Sequence, residues 1–295
     1  MKAGERGFLL LTSQLGDPER KPLTVAQFRV LASRAVQKNT VHQSRELTDG
    51  DLVSLGYDRQ TALRILGLLQ DGERLDRYLF LGKRQNCYPV CRVSANYPGT
   101  VHQRLGLNAP GSLWLKGDAS LLQLPRISLV GSRDLEGENR EFAETVGREA
   151  ARQGFVLVSG NARGADRAAQ DACLAAGGKV ICVVADELHK YHGQKNVLYV
   201  AEDGFDVAFS NQRALSRNRV IHTLGYFTFV AQCGLGTGGT WDGTVKNLHY
   251  RWSPVFCFGD GSPAAAELEQ LGATLITKEL LSDIPSLHSN EESLF

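Results

Sequence analysis

Residues 126–166 read RISLVGSRDLEGENREFAETVGREAARQGFVLVSGNARGAD, and the fold is decided there. Two short apolar runs, Ile127 to Val130 and Phe155 to Val158, flank a segment from Glu138 to Gln153 whose Ala, Glu, Arg and spaced apolar residues suit an amphipathic helix. Strands that are apolar throughout are buried on both faces, and a helical crossover between two of them makes the pair parallel. The alternation continues outward. Further runs lie at Val180 to Val184, Phe227 to Val230, Val255 to Phe258 and Thr274 to Ile276, and Ala165 to Ala176 is a second helical stretch. The expected fold class is α/β, a doubly wound and mostly parallel sheet over residues 126–280.

Residues 1–75 lack a strand signal and carry polar helical stretches around Val25 to Gln37 and Asp58 to Gln70, the second preceded by Leu55-Gly56-Tyr57-Asp58. A small helical domain of helix-turn-helix or helix-hairpin-helix type is expected there. Residues 76–125, with Tyr88-Pro89, Tyr97-Pro98, Pro110-Gly111 and Gly117-Asp118, read as an extended lead-in. Residues 281–295 read as an acidic tail.

With 42% hydrophobic and 22% charged residues, the 295-residue chain is neither disordered nor fibrous. No apolar run is long enough to span a membrane and no cleavage-site pattern follows Glu5 and Arg6, so a cytoplasmic protein without a membrane partner is expected. The six cysteines are scattered through apolar segments and read as reduced core thiols. Cys87 and Cys91 alone are close enough to suggest a metal pair, and no second pair follows them. No metal site and no cofactor are expected.

Three loops follow apolar runs: Gly131-Ser132-Arg133, Ser159-Gly160-Asn161-Ala162-Arg163-Gly164-Ala165-Asp166 and Gly234-Leu235-Gly236-Thr237-Gly238-Gly239-Thr240. In a doubly wound sheet, ligands sit at the carboxyl ends of the strands. Glycine lets backbone N–H groups converge on an anion, a following helix adds its positive end, and Arg133 and Arg163 supply forks for phosphate. One such loop is an ordinary tight turn; three on one rim point to a polyanion. Asp166 reads as a cap for the helix beginning there.

The net charge of +1 hides a pattern, since residues 210–251 carry five basic side chains and one acidic. Within that stretch Arg213 to Arg219 (RALSRNR) opens a helix, and Arg217-Asn218-Arg219 has no acidic residue within four positions. Like charge left unneutralised near a helix start is destabilising, so a bound anion is expected there too.

The order and spacing of these motifs carry a resemblance. Asn96-Tyr97-Pro98, Leu113 to Asp118 (LWLKGD), Ile127 to Arg133 (ISLVGSR), Val158 to Asp166 (VSGNARGAD) and Arg217 to Ile221 (RNRVI) together resemble the DNA-processing protein A (DprA/Smf) family. The resemblance covers about residues 80–260, and the helical segment before them is similar to that family's sterile-alpha-motif-like domain. It implies a Rossmann-like core that binds single-stranded DNA, forms a homodimer and serves a RecA-type recombinase in DNA uptake, recombination or a related defence role, with no catalytic residue. The site residues it carries over are Gly131, Ser132, Arg133, Ser159, Gly160, Arg163, Gly164, Arg217, Asn218 and Arg219. The third loop adds Gly238, Gly239 and Thr240.

The sequence departs from the family pattern at Ala169-Gln170 in place of Ala-His, at Tyr191-His192 in place of Tyr-Pro, and at Gly238-Gly239-Thr240 in place of Ser-Gly-Ser. The family's C-terminal winged helix finds no match. A second reading, from the similarity of Gly236 to Gly243 to the loop of lysine-decarboxylase-like nucleotide hydrolases, is a nucleotide-binding sensor or hydrolase. Its catalytic Glu is replaced by Gly243. Tyr191, Tyr199 and Trp241 are the loop aromatics expected to stack on bases.

Overall fold

The computed structural model describes residues 1–38, 47–135 and 137–287. Five helices come first: α1 (Ala3–Thr12), α2 (Val25–Gln37), α3 (Asp49–Ser54), α4 (Arg59–Gln70) and α5 (Gly72–Arg84). Their starts are written locally. Thr24 accepts from the Gln27 N–H, Thr48 from Asp51 and Asp58 from Thr61, each supplying a side-chain oxygen to an otherwise orphaned donor. Leu11, Leu31, Leu52, Ile65 and Leu68 bury one common core. Arg20, whose side chain is nearly buried, ties that core together by donating to the Leu10, Ser13 and Leu68 carbonyls and pairing with Asp71 at 3.2 Å.

The stretch 76–125, expected as an extended lead-in, is built instead of the end of α5, β1 (Tyr88–Cys91), α6 (Gly99–Leu105) and β2 (Ser112–Gly117). Its Pro-containing turns made it read as coil, yet Leu113, Trp114 and Leu115 are fully buried. The chain divides into two compact units. One comprises Met1–Tyr97, Pro110–Trp114 and Glu202–Val207; the other comprises Pro98–Ala109, Leu115–Ala201 and Ala208–Phe295.

The second unit carries β3 (Arg126–Val130), α7 (Gly137–Arg152), β4 (Val156–Ser159), α8 (Ala165–Ala175), β5 (Lys179–Val184), β6 (Val197–Glu202), α9 (Asn211–Leu224), β7 (Thr228–Val230), α10 (Gly238–Tyr250), β8 (Val255–Phe258), α11 (Pro263–Gln270) and β9 (Thr274–Ile276). The α/β expectation holds: nine strands form one sheet in the order β1-β2-β6-β5-β4-β3-β7-β8-β9. The six ladders from β6 to β9 are all parallel. Strand β6 is not among the apolar runs named above, and Tyr199, expected in a loop, lies in this strand and is buried.

Topology now places the site. The chain steps outward from β3 through β4, β5 and β6, then returns to lay β7 on the other side of β3. The strand order reverses between β3 and β7, and the crevice at the carboxyl ends of such a pair is where doubly wound sheets hold ligands. The loops after β3, β4 and β7 all border it. The acidic tail expected at 281–295 begins in a short 3-10 segment, Glu279–Ser286, and its residues from 288 onward lie outside the described residues.

Candidate nucleic-acid interface

The loop after β3 is held from both sides. The Ser132 N–H donates to the Gln232 carbonyl at 2.9 Å, Ala165 N–H donates to the Ser132 carbonyl at 3.0 Å, and the Thr240 hydroxyl donates to the Gly131 carbonyl at 2.9 Å. All three expected loops are therefore joined at one point. Glycine is required for this closeness: a Cβ on Gly164, which has φ +79°, would sit 2.3 Å from the Ser132 carbonyl oxygen, and one on Gly131 would sit 2.4 Å from the Ala165 Cβ. Arg133 projects from the locked loop and is exposed. Arg163 is also exposed but pairs with Asp134 at 3.0 Å, so part of its charge effect at the rim is neutralised locally.

Under this surface lies a buried carboxylate with an arginine from another element near it, which sequence neighbours did not reveal. Asp166 is 6% exposed, and its carboxylate accepts from the Gly160 and Ala162 N–H groups, each at 3.1 Å. It caps the loop instead of the helix. The Arg217 guanidinium lies so close over Gly160 that any Cβ there would collide with it, and its Nε is buried without a hydrogen-bond partner. Burial pushes the Asp166 carboxyl above its ordinary range, opposed by the Arg217 charge and the two N–H donors; burial likewise lowers Arg217, opposed by Asp166. The negative charge that acts on Arg217 thus comes from another element of the chain.

Ser159, expected at the interface, is fully buried, and its hydroxyl accepts from the Gln170 amide. The residue standing where the family pattern has His thus serves to fix the β4 end. The Ser132 hydroxyl is part exposed and closes a turn with Asp134, accepting from its N–H and donating to its carbonyl, both at 3.1 Å. Gly160 is covered by Arg217. Asn218 donates to the Gly239 carbonyl at 2.9 Å and joins α9 to α10.

Arg219 points away from Arg217, into a groove of about 610 Å³ between α9 and α10 that is also bordered by Gly238, Gly239 and Lys246. Helix α9 begins at Asn211, so Arg217 and Arg219 stand in its middle and not at its start, and the basic cluster is split between two sites. Of the aromatic candidates, Tyr191 is half-buried near Arg217 and stacked on Tyr199 at 4.8 Å, while Trp241 is half-buried in α10. Asn161, with φ +57°, was not singled out in the sequence; an Asn inside a Gly-rich loop was the available signal. The loop between β5 and β6 adds exposed His192 and Lys195, whereas Lys190 is paired with Asp186 and Glu187. Among the described residues, no three His, Cys, Asp or Glu side chains converge as a metal site, and no helix is long and apolar enough to cross a membrane.

A family model described as DNA recombination-mediator protein A matches residues 89–245. The DNA processing protein DprA of Streptococcus pneumoniae is 36% identical over 179 residues, spanning 51% of this chain and 62% of that protein. Protein Smf of Escherichia coli is 30% identical over 144 residues, spanning 44% of this chain and 37% of that one. The chain thus matches less than two thirds of the length of these relatives. Among solved structures, DprA of Streptococcus pneumoniae superposes with a TM-score of 0.70 at 23% identity, covering 95% of this chain and 97% of that one. DNA processing protein A of Helicobacter pylori, whose structure describes its single-stranded DNA binding mode, gives a TM-score of 0.57 at 23% identity over 66% of this chain and 94% of that one.

Proposed function

The chain belongs to the DNA recombination-mediator protein A family, and from that premise we infer that it binds single-stranded DNA at the β3–β4–β7 rim and acts as a recombination mediator. The observation that carries this reading is Arg133: an exposed guanidinium on a rigid loop, at the topological switch point, above a buried Asp166 carboxylate that fixes the neighbouring loop through two N–H groups. Arg133 and Arg163 meet phosphates, Lys195 and His192 extend the charged track, and the outer face of Tyr191 offers a stacking surface. Gly131, Gly164 and Thr240 hold the loops; Ser159, Gly160, Asp166 and Arg217 are the frame beneath them. The protein works as a homodimer and passes the strand to a RecA-type recombinase.

The nucleotide-hydrolase reading has less support. Its nearest carboxylate, Asp242, is tied to Lys246 at 2.8 Å, and the Ser132 and Thr240 hydroxyls are engaged with backbone carbonyls. Fluorescence anisotropy with labelled single-stranded oligonucleotide, run in parallel with duplex and free nucleotides, tests the proposal. Affinity for the single strand should fall with salt, and Arg133→Ala should flatten the log–log slope by about 0.7, the contribution of one phosphate on a single strand. Salt-insensitive binding, or binding of free nucleotide alone, would refute it.

A further inference from the structure

Helices α9 and α10 both leave the carboxyl rim in the same direction, because each follows a parallel strand and runs back to the start of the next. Their packing is in parallel register. Gly239 faces Leu215 and Asn218, and one turn further on Gly243 faces Asn218 and His222. Two glycines four residues apart allow the close approach, and the groove outside it begins at the rim with Gln212 and Gly238. At 1.5 Å per residue, the 13 residues of α10 give it a length of about 20 Å.

The chemistry along this groove is ordered. At the mouth the α10 N-terminus has no side-chain cap, since Thr237 makes none, and its N–H groups are left for an anion. Midway stand Arg219 and Lys246, with Ser216 between them and the mouth. At the foot Trp252 borders the groove, with the 62% exposed ring of Tyr250 stacked on it at 5.6 Å and 16°. Under the floor, the Nε2 of fully buried His222 has no hydrogen-bond partner and lies 3.1 Å from where a Gly243 Cβ would stand. Cations and helix-end donors followed by stacked rings form the combination that holds single-stranded nucleic acid.

We propose that the α9–α10 groove is a second subsite for the same single strand, carrying it from the Arg133 rim down the outer helical layer to Tyr250 and Trp252. This rests on the reading of the rim as a single-stranded DNA site. Asn218, bonded to Gly239, is the ridge the strand crosses between the two subsites. Asp242 is the acidic residue bordering the groove, and its 2.8 Å bond to Lys246 competes with phosphate for that ammonium. Its removal therefore tightens binding.

The test compares labelled oligothymidylates of about 4 and about 16 nucleotides, the span of site sizes seen for single-strand binders. Only the longer one reaches from rim to groove. The full chain carrying Ser216→Glu and Lys246→Glu should lose tenfold or more in affinity for the long oligonucleotide, with its salt slope flattened by about 0.7 for each phosphate that is no longer neutralised, and should bind the short one unchanged. Asp242→Asn should strengthen long-oligonucleotide binding alone. In the unsubstituted protein, Lys246, whose side chain is 55% exposed, should be protected from amine acylation by the long oligonucleotide and not by the short one. Unchanged long-oligonucleotide affinity in the double variant, or protection of Lys246 by free thymidine monophosphate, overturns the strand path. Failure of the unsubstituted protein to bind either length overturns the rim reading along with it.

Discussion

Arg217 and Arg219 stand about 200° apart around α9, so one guanidinium falls over Gly160 while the other falls into the groove with Lys246. That separation gives them different duties. The Arg217 charge opposes the burial of a carboxylate that is itself bonded to two loop N–H groups, and removing it leaves that buried Asp166 with the two N–H donors alone. Arg217→Ala should therefore lower the melting temperature by several degrees, and adding Asp166→Asn should restore part of the loss, a coupling that a double-mutant cycle reads directly. Arg133→Ala should leave the melting temperature within error of the unsubstituted protein while weakening DNA binding. Equal thermal penalties for both variants would mean that Arg133 is also part of the frame. A carboxylate at position 217 would face Asp166 across Gly160, so Arg217→Glu cannot serve as a clean binding variant. The lack of acidic neighbours around 217–219 was legible, but the residue that answers Arg217 lies 51 positions away in sequence.

The helix pair α9–α10 rests on a buried polar network that centres on His222. The Asn247 amide NH₂ is 3.1 Å from His222 Nδ1, which makes Nδ1 the acceptor and places the proton on Nε2. Asn247 also donates to the Ser253 hydroxyl at 3.0 Å and accepts the Ser253 N–H at 2.9 Å, so the neutral imidazole is wired to the start of β8. Burial, assisted by the nearby Arg217 charge, pushes the His222 pKa down from 6.5 to about 3. A histidine depressed in the native state binds its proton more readily when unfolded. Stability that is fully present above about pH 6.5 is therefore lost progressively as pH falls toward 3, by up to about 1.4 kcal/mol per pH unit. Thermal melts between pH 7 and pH 5 should show this slope, and His222→Gln should flatten it. An unchanged slope in the variant would assign acid sensitivity to other groups. The helix boundaries themselves were readable: Val25–Gln37 emerges as expected, and α7 and α8 begin and end within a residue of their predicted limits. The contents of 76–125 were not, because Tyr88-Pro89 and Pro110-Gly111 look like breaks although Val90, Leu113 and Trp114 are buried.

At the scale of the whole sheet, the six strands read from sequence are those whose apolar runs stand between clear helices. The three missed ones are β1, β2 and β6, the outer strands on one side, where a strand's place depends on distant partners more than on its own pattern. Much of the basic charge also proved to be structural. Arg104 and Arg126 donate to the carbonyls at the end of α9, Arg104 to Thr223 at 3.2 Å and Arg126 to Leu224 at 2.9 Å, where cations stabilise the negative helix terminus. Segment charge could not separate these arginines from ones at the rim. The opposite edge of the sheet sets the final prediction. Among the described residues, strand β9 has a neighbour on one side only, its first two residues are part exposed, and Leu271 and Leu280 flank it at 44% and 51% exposure. An unpaired parallel edge with apolar flanks is a template for association unless something covers it, and a second copy related by a two-fold axis is the cover that closes without growing further. Light scattering at tens of micromolar, above a dissociation constant of roughly 1 μM, should give a dimer mass. Leu271→Arg with Leu280→Arg should return the monomer, since each added charge would have to be desolvated against its symmetry mate, while both positions remain solvent-facing in the separate chain and leave its melting transition intact. A monomer in the unsubstituted protein, or a dimer that survives the double substitution, would show that the β9 edge is not the surface through which two copies meet.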